Sequence, residues 1–346
     1  MLVTVYDEGY LRHETPADHP ESPNRVLSAL SGVGELAKVI KPTVNVDLIE
    51  TAGLVHEYHY VEYVTSLCAT GGRLDPDTYV SKGTCDALTS SINALATAVN
   101  LLKSGVRHVY LPLRPPGHHV GFRGRALLAP TQGFCVLNNA AIISSLLLKS
   151  GASRVAVLDI DAHHGNGTQE IFYSTSKVFY ISTHQDSRTL YPGTGYVNEI
   201  GVGDGEGFNM NIPLPPMTSD DLFKVVLKPI ENALRQYKPS YIVVSLGFDS
   251  HFLDPLTNLN LSLNSYIEAF LMIRRLIEEG VTEGSVYVLE GGYNTDVIKQ
   301  GSRALAMVSN GIDQVNIEYY TKTNGEIAKY FNKMIEQHRA FFPQYY

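Results

Sequence analysis

Six short runs rich in Val, Ile and Tyr are apolar along almost their whole length and alternate with longer segments of helical period. They lie at 3–6, 108–113, 154–160, 178–182, 241–246 and 285–289. A strand apolar on both sides must be covered on both faces, which argues for a parallel sheet between layers of helices. Helices are expected at 23–40, around 56–69, and at 85–103, 139–149, 219–237 and 264–279, with Ser219 and Asn264 as N-caps and Gly105, Gly151 and Gly280 as stops. No repeat, low-complexity tract or linker interrupts the alternation. The sequence therefore predicts one α/β domain over 1–346, with a central, mostly parallel β-sheet flanked by helices on both faces. Residues from about 311 to 346 are expected to form a helical tail packed on it.

The segments immediately after the strands carry the chemistry. The run at 108–113 leads into Arg114-Pro115-Pro116-Gly117-His118-His119, and that at 154–160 into Asp159-Ile160-Asp161-Ala162-His163-His164-Gly165-Asn166. Two later runs lead into Gly247-Phe248-Asp249 and Glu290-Gly291-Gly292-Tyr293. Ligands of open parallel sheets bind at the carboxyl ends of the strands, so these four distant clusters should meet at one site. Seven of the twelve histidines fall between His108 and His251.

Asp159, Asp161 and His163 alternate on extended backbone, so their side chains can line one wall. With Asp249 as a third ligand, Asp161 and His163 make a metal site with one open position. Two carboxylates and an imidazole suit Zn²⁺, and also Fe²⁺ or Mn²⁺. His118 and His119 then read as acid–base groups beside that open position, with Asp159 and Asn166 orienting their distal nitrogens. A carboxylate partner favours imidazolium and an amide partner a neutral ring, which is the better base. Tyr293, after two glycines, is placed to donate to a developing oxyanion. The blander alternative is that strand-end Asp and His cap helices and that Tyr293 is a turn residue packed on its ring. His56 and His59 read as a half-buried surface pair, and His164, His184 and His251, adjacent to the residues named, as groups that support those residues or pack.

The net charge of −8 argues against a protein built to grip nucleic-acid phosphates. No apolar run approaches the ~18 residues of a membrane span, and the opening residues lack the apolar core of a secretory signal. A cytoplasmic protein with no membrane or nucleic-acid partner is expected. Cys68, Cys85 and Cys135 are odd in number and form no CxxC pair, so they read as reduced, mostly buried thiols.

Together, RPPGHH, GFCVLNNAAI, LDIDAHHGNGTQ, YPGTG, LGFDSHFLDPL and LEGGYN resemble the zinc-dependent histone deacetylase family. That family shares its fold with arginases and includes acetylpolyamine and acetoin-utilisation deacetylases. Asn166 and the Glu before Gly-Gly-Tyr resemble its class II branch. The resemblance runs from HPESPNR, at His19, to about Asn294. It implies Asp161, His163 and Asp249 as zinc ligands, His119 as general base and acid, His118 as its electrostatic partner, Asp159 and Asn166 as orienters, and Tyr293 as the carbonyl-polarising phenol. It further implies Gly133, Phe134 and Tyr191 in the walls of a narrow channel, Leu256 at its rim, and a structural K⁺ held by Asp159, Asp161, His163 and Ser182. The implied reaction removes acyl groups from lysine in proteins or peptides, or from a small acylated amine such as an acetylpolyamine. An arginase-like hydrolase and a non-catalytic acyl-lysine reader are the other readings. Two departures stand out: a lengthened segment between His119 and Gly133, and Thr257-Asn258 after Asp254-Pro255-Leu256. The first is expected to reshape the channel mouth, and neither is expected to touch the chemistry.

Overall fold

The computed structural model describes residues 1–346. β1 (Leu2–Val5) passes through α1 (Asn24–Val33) to β2 (Ala37–Ile40), and α2 (Leu48–Ala52) and α3 (Tyr58–Thr70) come next. A hairpin of β3 (Gly72–Arg73) and β4 (Tyr79–Val80) precedes the long α4 (Thr84–Lys103) and β5 (His108–Leu111). A second hairpin, β6 (Val120–Gly121) and β7 (Gly124–Arg125), lies before α5 (Asn139–Lys149), β8 (Val155–Asp159), α6 (Asn166–Phe172) and β9 (Val178–Gln185). The chain then runs through β10 (Asn209–Leu214), α7 (Asp220–Tyr237), β11 (Tyr241–Leu246), α8 (Leu263–Glu278), β12 (Gly284–Leu289), α9 (Thr295–Ser309) and α10 (Gly325–Phe341).

Eight strands form one sheet in the order β10-β9-β8-β11-β12-β5-β1-β2, all parallel. The apolar alternation explains why it is covered twice. On β8, Ala156 and Leu158 enter one core, with side chains from α7, α8 and α9, while Val155 and Val157 enter the other, with side chains from α3, α4 and α5. Strand order reverses direction between β8 and β11: β9 and β10 extend to one side of β8, and β11 and β12 to the other. Such a reversal opens a crevice at the strands' carboxyl ends. In the tail, Phe331, Ile335, Phe342 and Tyr345 join the first core.

Local differences from expectation have physical causes. The segment 23–40 is a helix only to Val33, because Gly34 adopts φ +45° and turns the chain into β2, an edge strand with an exposed middle. The cap of α8 is Ser262, whose hydroxyl accepts from Asn264 N–H at 3.1 Å. His56 is fully buried, bonded to the Gly121 carbonyl and the Asn138 N–H, while His59 is exposed. The cysteine expectation is corrected: Cys68, at the end of α3, and Cys85, at the start of α4, are joined by a disulfide with Cα atoms 5.9 Å apart, and only Cys135 is free. The hairpin β3–β4 between them closes the intervening loop, and no sequence spacing signals such a pairing.

Because the bond closes a 17-residue separation, its loss by Cys68→Ser should cost ~3 kcal/mol of stability. Thiol titration of the denatured, unreduced protein should find one reactive cysteine, rising to three after reduction. Three without reductant would show that the bond does not form.

Candidate active site

At the crevice, β8 ends in Asp159 and the chain, expected to stay extended, bends over 161–163 as it passes Asp161 and His163, while Gly247 and Phe248 carry the chain from β11 to Asp249. The ligand atoms of Asp161, His163 and Asp249 all lie within 4.8 Å of one another. His163 Nδ1 is 2.9 Å from Asp249 Oδ2 and 3.2 Å from Asp161 Oδ1. Both carboxylates have no exposed surface. Backbone groups hold them: Ala162 N–H donates to Asp249 at 2.8 Å, and the N–H groups of His163 and Gly291 donate to Asp161 at 2.8 and 2.7 Å. A Cβ at Gly247 would overlap the Asp161 carboxylate, and one at Gly291 would overlap those of Asp161 and Asp249. Two like charges this close and this dry call for a cation, and the donor set of two oxygens and a nitrogen suits a divalent metal.

His118 and His119 stand beside this set with ring centroids 4.1 Å apart. His118 Nδ1 lies 3.0 Å from Asp159 Oδ2, and His119 Nδ1 lies 2.8 Å from Asn166 Oδ1. Burial opposes the charged form of His118, but Asp159 and Asp161 outweigh it and push its pKa up to about 10. Burial and the neighbouring positive charges of His118 and His163 hold His119 well below the usual histidine range. One imidazolium and one neutral imidazole therefore sit side by side.

Above them, Asp77, Gly133, Phe134, Leu190, Tyr191, Leu256 and Tyr293 line a cavity of about 270 Å³ with His119 and His163 at its base. Gly133 is left-handed at φ +53°, and a Cβ there would collide with the His119 and Tyr191 rings. Phe134 packs edge-on to Tyr293, with centroids 5.9 Å apart, and Tyr191 edge-on to His119 at 4.8 Å. Asp254 ties rim to base, accepting from Leu256 N–H at 2.9 Å and from Tyr293 N–H at 2.8 Å.

Ser182 is the register partner of Asp159 across β8 and β9. Its hydroxyl lies 2.8 Å from His184 Nδ1, and His184 Nε2 lies 2.9 Å from the Gly195 carbonyl. A carbonyl only accepts, so Nε2 carries the proton and Nδ1 accepts from Ser182. Burial keeps His184 neutral, with a pKa lowered to about 4. The Ser182 oxygen thus keeps its lone pairs for another partner, which fits a cation ligand.

The structure brings together every residue singled out for the site, and adds several that sequence reasoning missed. Glu290 Oε2 accepts from the N–H groups of Gly117 and His118 at 2.7 and 3.2 Å, fixing the paired histidines from below. Arg25 donates to the carbonyls of Glu290 and Gly292 and lies over the Tyr293 ring, 5.2 Å from its centroid. Glu21 bridges Arg25 and Arg114. Burial works against its charge, but the two guanidiniums outweigh that and hold its pKa at about 2. The Glu and Arg of HPESPNR were the available signal, without a partner named for them. Arg123 and Arg125 stand outside the channel, paired with Glu57 and with the Pro130 carbonyl. The lengthened segment reaches the partner of His119, since the Ala126 carbonyl accepts from Asn166 Nδ2 at 2.9 Å.

Comparison with known proteins agrees with this geometry. Residues 19–309 match the histone deacetylase domain family. A probable deacetylase of Archaeoglobus fulgidus is 39% identical over 299 residues, covering 84% of this chain and 81% of its own. The crystal structure of the HDA15 HD domain superposes with TM-score 0.85 and 28% identity over 99% of this chain and 96% of its own. The acetylpolyamine aminohydrolase of Burkholderia pseudomallei does so at 0.80 and 26%, over 90% and 99%. With the family match spanning both the paired histidines and the Gly-Gly-Tyr turn, the chain belongs to the histone deacetylase family.

Proposed function

We propose that the protein is a zinc-dependent deacylase that removes acetyl or longer acyl groups from the ε-amino group of lysine in proteins or peptides. The observation that carries this reading is the meeting of a three-residue metal set, a neutral His119 and the Tyr293 phenol at the base of one narrow aromatic channel. When bound at Asp161, His163 and Asp249, the divalent ion supplies Lewis acidity toward the acyl oxygen and toward water. Zn²⁺ is assigned from the donor set of two carboxylates and one imidazole, which would leave a position for water or substrate; Fe²⁺ and Mn²⁺ are compatible with the same donors.

The chain's own groups do the rest. Phe134 and Tyr191 flank the lysine methylenes and exclude water around the amide. His119 Nε2 takes a proton from the attacking water, the new C–O bond forms, and Tyr293 O–H donates to the oxygen that gains negative charge. His119 then passes its proton to the amine nitrogen as the C–N bond breaks, leaving a carboxylic acid and a free amine, which part as carboxylate and ammonium once the acid's proton passes to the amine. His118, paired with Asp159, stays cationic and balances the charge of the transition state. A K⁺ ion at Asp159, Asp161, His163 and Ser182 would be structural, and the free lone pairs of Ser182 support it.

A second reading, a small acylated amine such as an acetylpolyamine, is favoured by one observation: Asp77 lines the channel and offers a carboxylate to a second ammonium. Leu256 supports the lysine reading, because an apolar rim gives a polyamine cation no partner.

Chelation should abolish turnover, and Zn²⁺, Fe²⁺ or Mn²⁺ should restore it; full activity of metal-free protein would exclude the mechanism. Tyr293→Phe should lower kcat on an acetyl-lysine peptide on the order of 10²-fold, or ~2.7 kcal/mol, at unchanged metal content. Near-normal kcat would reduce the phenol to a packing role. For substrate class, kcat/KM should favour an acetyl-lysine peptide over acetylspermidine, and Leu256→Glu should move the ratio toward acetylspermidine. A wild-type preference of tenfold or more for acetylspermidine, ~1.4 kcal/mol, would establish the second reading instead.

A further inference from the structure

The lengthened segment between the paired histidines and Gly133 folds inward over α6. Its β6–β7 hairpin packs on that helix, and a Cβ at Gly121 would overlap the Glu170 carboxylate. Asn166 and Glu170 stand one helical turn apart, so both face this segment. Glu170 grips it from two sides: Oε1 accepts from Phe122 N–H and Oε2 from Leu127 N–H, each at 3.0 Å. Between these bonds lies buried Ala126, whose carbonyl accepts from Asn166 Nδ2 at 2.9 Å. Leu127 and Leu128 come next in the chain, with φ of 51° and 60°. Left-handed backbone is unfavourable for a Leu, so this path persists only where bonds such as Glu170 to Leu127 N–H hold it. Leu128 is fully exposed and supplies no packing in compensation.

The consequence reaches His119. A carbonyl oxygen can only accept, so the Asn166 atom facing Ala126 must be the amide nitrogen, and Oδ1 must face His119 Nδ1. Oδ1 also only accepts, so the proton of neutral His119 sits on Nδ1 and the lone pair on Nε2. Released from Ala126, the Asn166 amide can turn over. Its NH₂ would then face Nδ1, and the ring proton would move to Nε2, where the ring cannot accept from water.

We propose that Glu170 is a positioning residue for the reaction, clamping residues 122–127 so that the Ala126 carbonyl locks the Asn166 amide and, through it, the Nδ1–H form of His119. Its catalytic consequence rests on reading His119 as the base, whereas its structural content does not.

The test uses metal-loaded protein labelled with ¹⁵N-histidine, in which long-range ¹H–¹⁵N correlations distinguish the two ring tautomers; His119→Ala assigns the signal. Wild type should show His119 protonated at Nδ1. Glu170→Ala should populate the Nε2–H form and lower kcat ten- to a hundredfold while KM stays within about twofold. Glu170→Gln keeps one acceptor but turns an NH₂ toward the second N–H, so it should fall between the two. It also serves if Glu170→Ala does not fold, and it should then lower kcat at least threefold with a matching Nε2–H population. A Glu170 variant that folds with wild-type tautomer and kcat within twofold would overturn the proposal. So would wild-type protein protonated at Nε2. If wild type hydrolyses neither acetyl-lysine peptide nor acetylspermidine, the functional reading fails, and the tautomer spectra still decide the clamp.

Discussion

Two aspartates of like charge, buried without exposed surface and sharing His163 as a neighbour, are the constraint around which the rest of this protein is arranged. Desolvating one carboxylate is costly, and placing a second beside it adds repulsion. The fold offsets this with three backbone N–H donors from Ala162, His163 and Gly291 and with glycines where a side chain would displace a carboxylate. The remainder is negative charge that a divalent cation would neutralise. The position is set by topology, because at the reversal between β8 and β11 two strand ends diverge and leave room for the residues beyond them to meet.

The same field divides the labour of the paired histidines. His118 and His119 are adjacent in sequence and nearly in contact, yet their pKa values are pushed in opposite directions, with an Asp beside one and an Asn beside the other. Each state supports the other, since a cationic His118 makes protonation of His119 harder. An Asp in place of Asn166 would pull His119 toward imidazolium and leave less of the neutral ring. The amide supplies orientation without charge, but an amide can turn over where a carboxylate is symmetric, and so it needs an anchor of its own.

That difference explains which features are legible in the sequence. Asp159, Asp161 and His163 are legible because they follow one another at the end of an apolar strand, and Asp249 and Tyr293 because strand ends in a parallel sheet converge; the strand itself stops at Asp159 and the chain bends over 161–163, which the alternation does not foretell. Contacts made by backbone atoms have no such signature. Nothing in the letters around Ala126 says that its carbonyl reaches Asn166, and the bond of Arg25 to the carbonyls of Glu290 and Gly292 joins positions separated by more than 260 residues. β2 is hidden because the helical period of α1 continues past the turn at Gly34, and β10 because Pro213 and two Asn residues break its apolar run. The Cys68–Cys85 bond depends on where α3 and α4 are brought together by a hairpin only two residues long on each strand.

Chemistry and substrate choice are therefore written in different parts of the molecule. The base of the channel consists of strand-end residues held by a rigid sheet. The mouth comes from loops carrying Asp77, Leu190, Tyr191 and Leu256. Asp77 alone does not choose between substrates, because one carboxylate can accept equally from the amide N–H groups of a peptide or from a polyamine ammonium. Selectivity needs a second element that only one substrate can satisfy. Leu256 lines the same cavity, and its apolar side chain offers a cation no partner. Asp254 bonds both the Leu256 and the Tyr293 backbones, so rim and base share one support. Because that support is made through backbone N–H groups, a change of the Leu256 side chain alters the rim and leaves in place the bonds that hold the Tyr293 backbone.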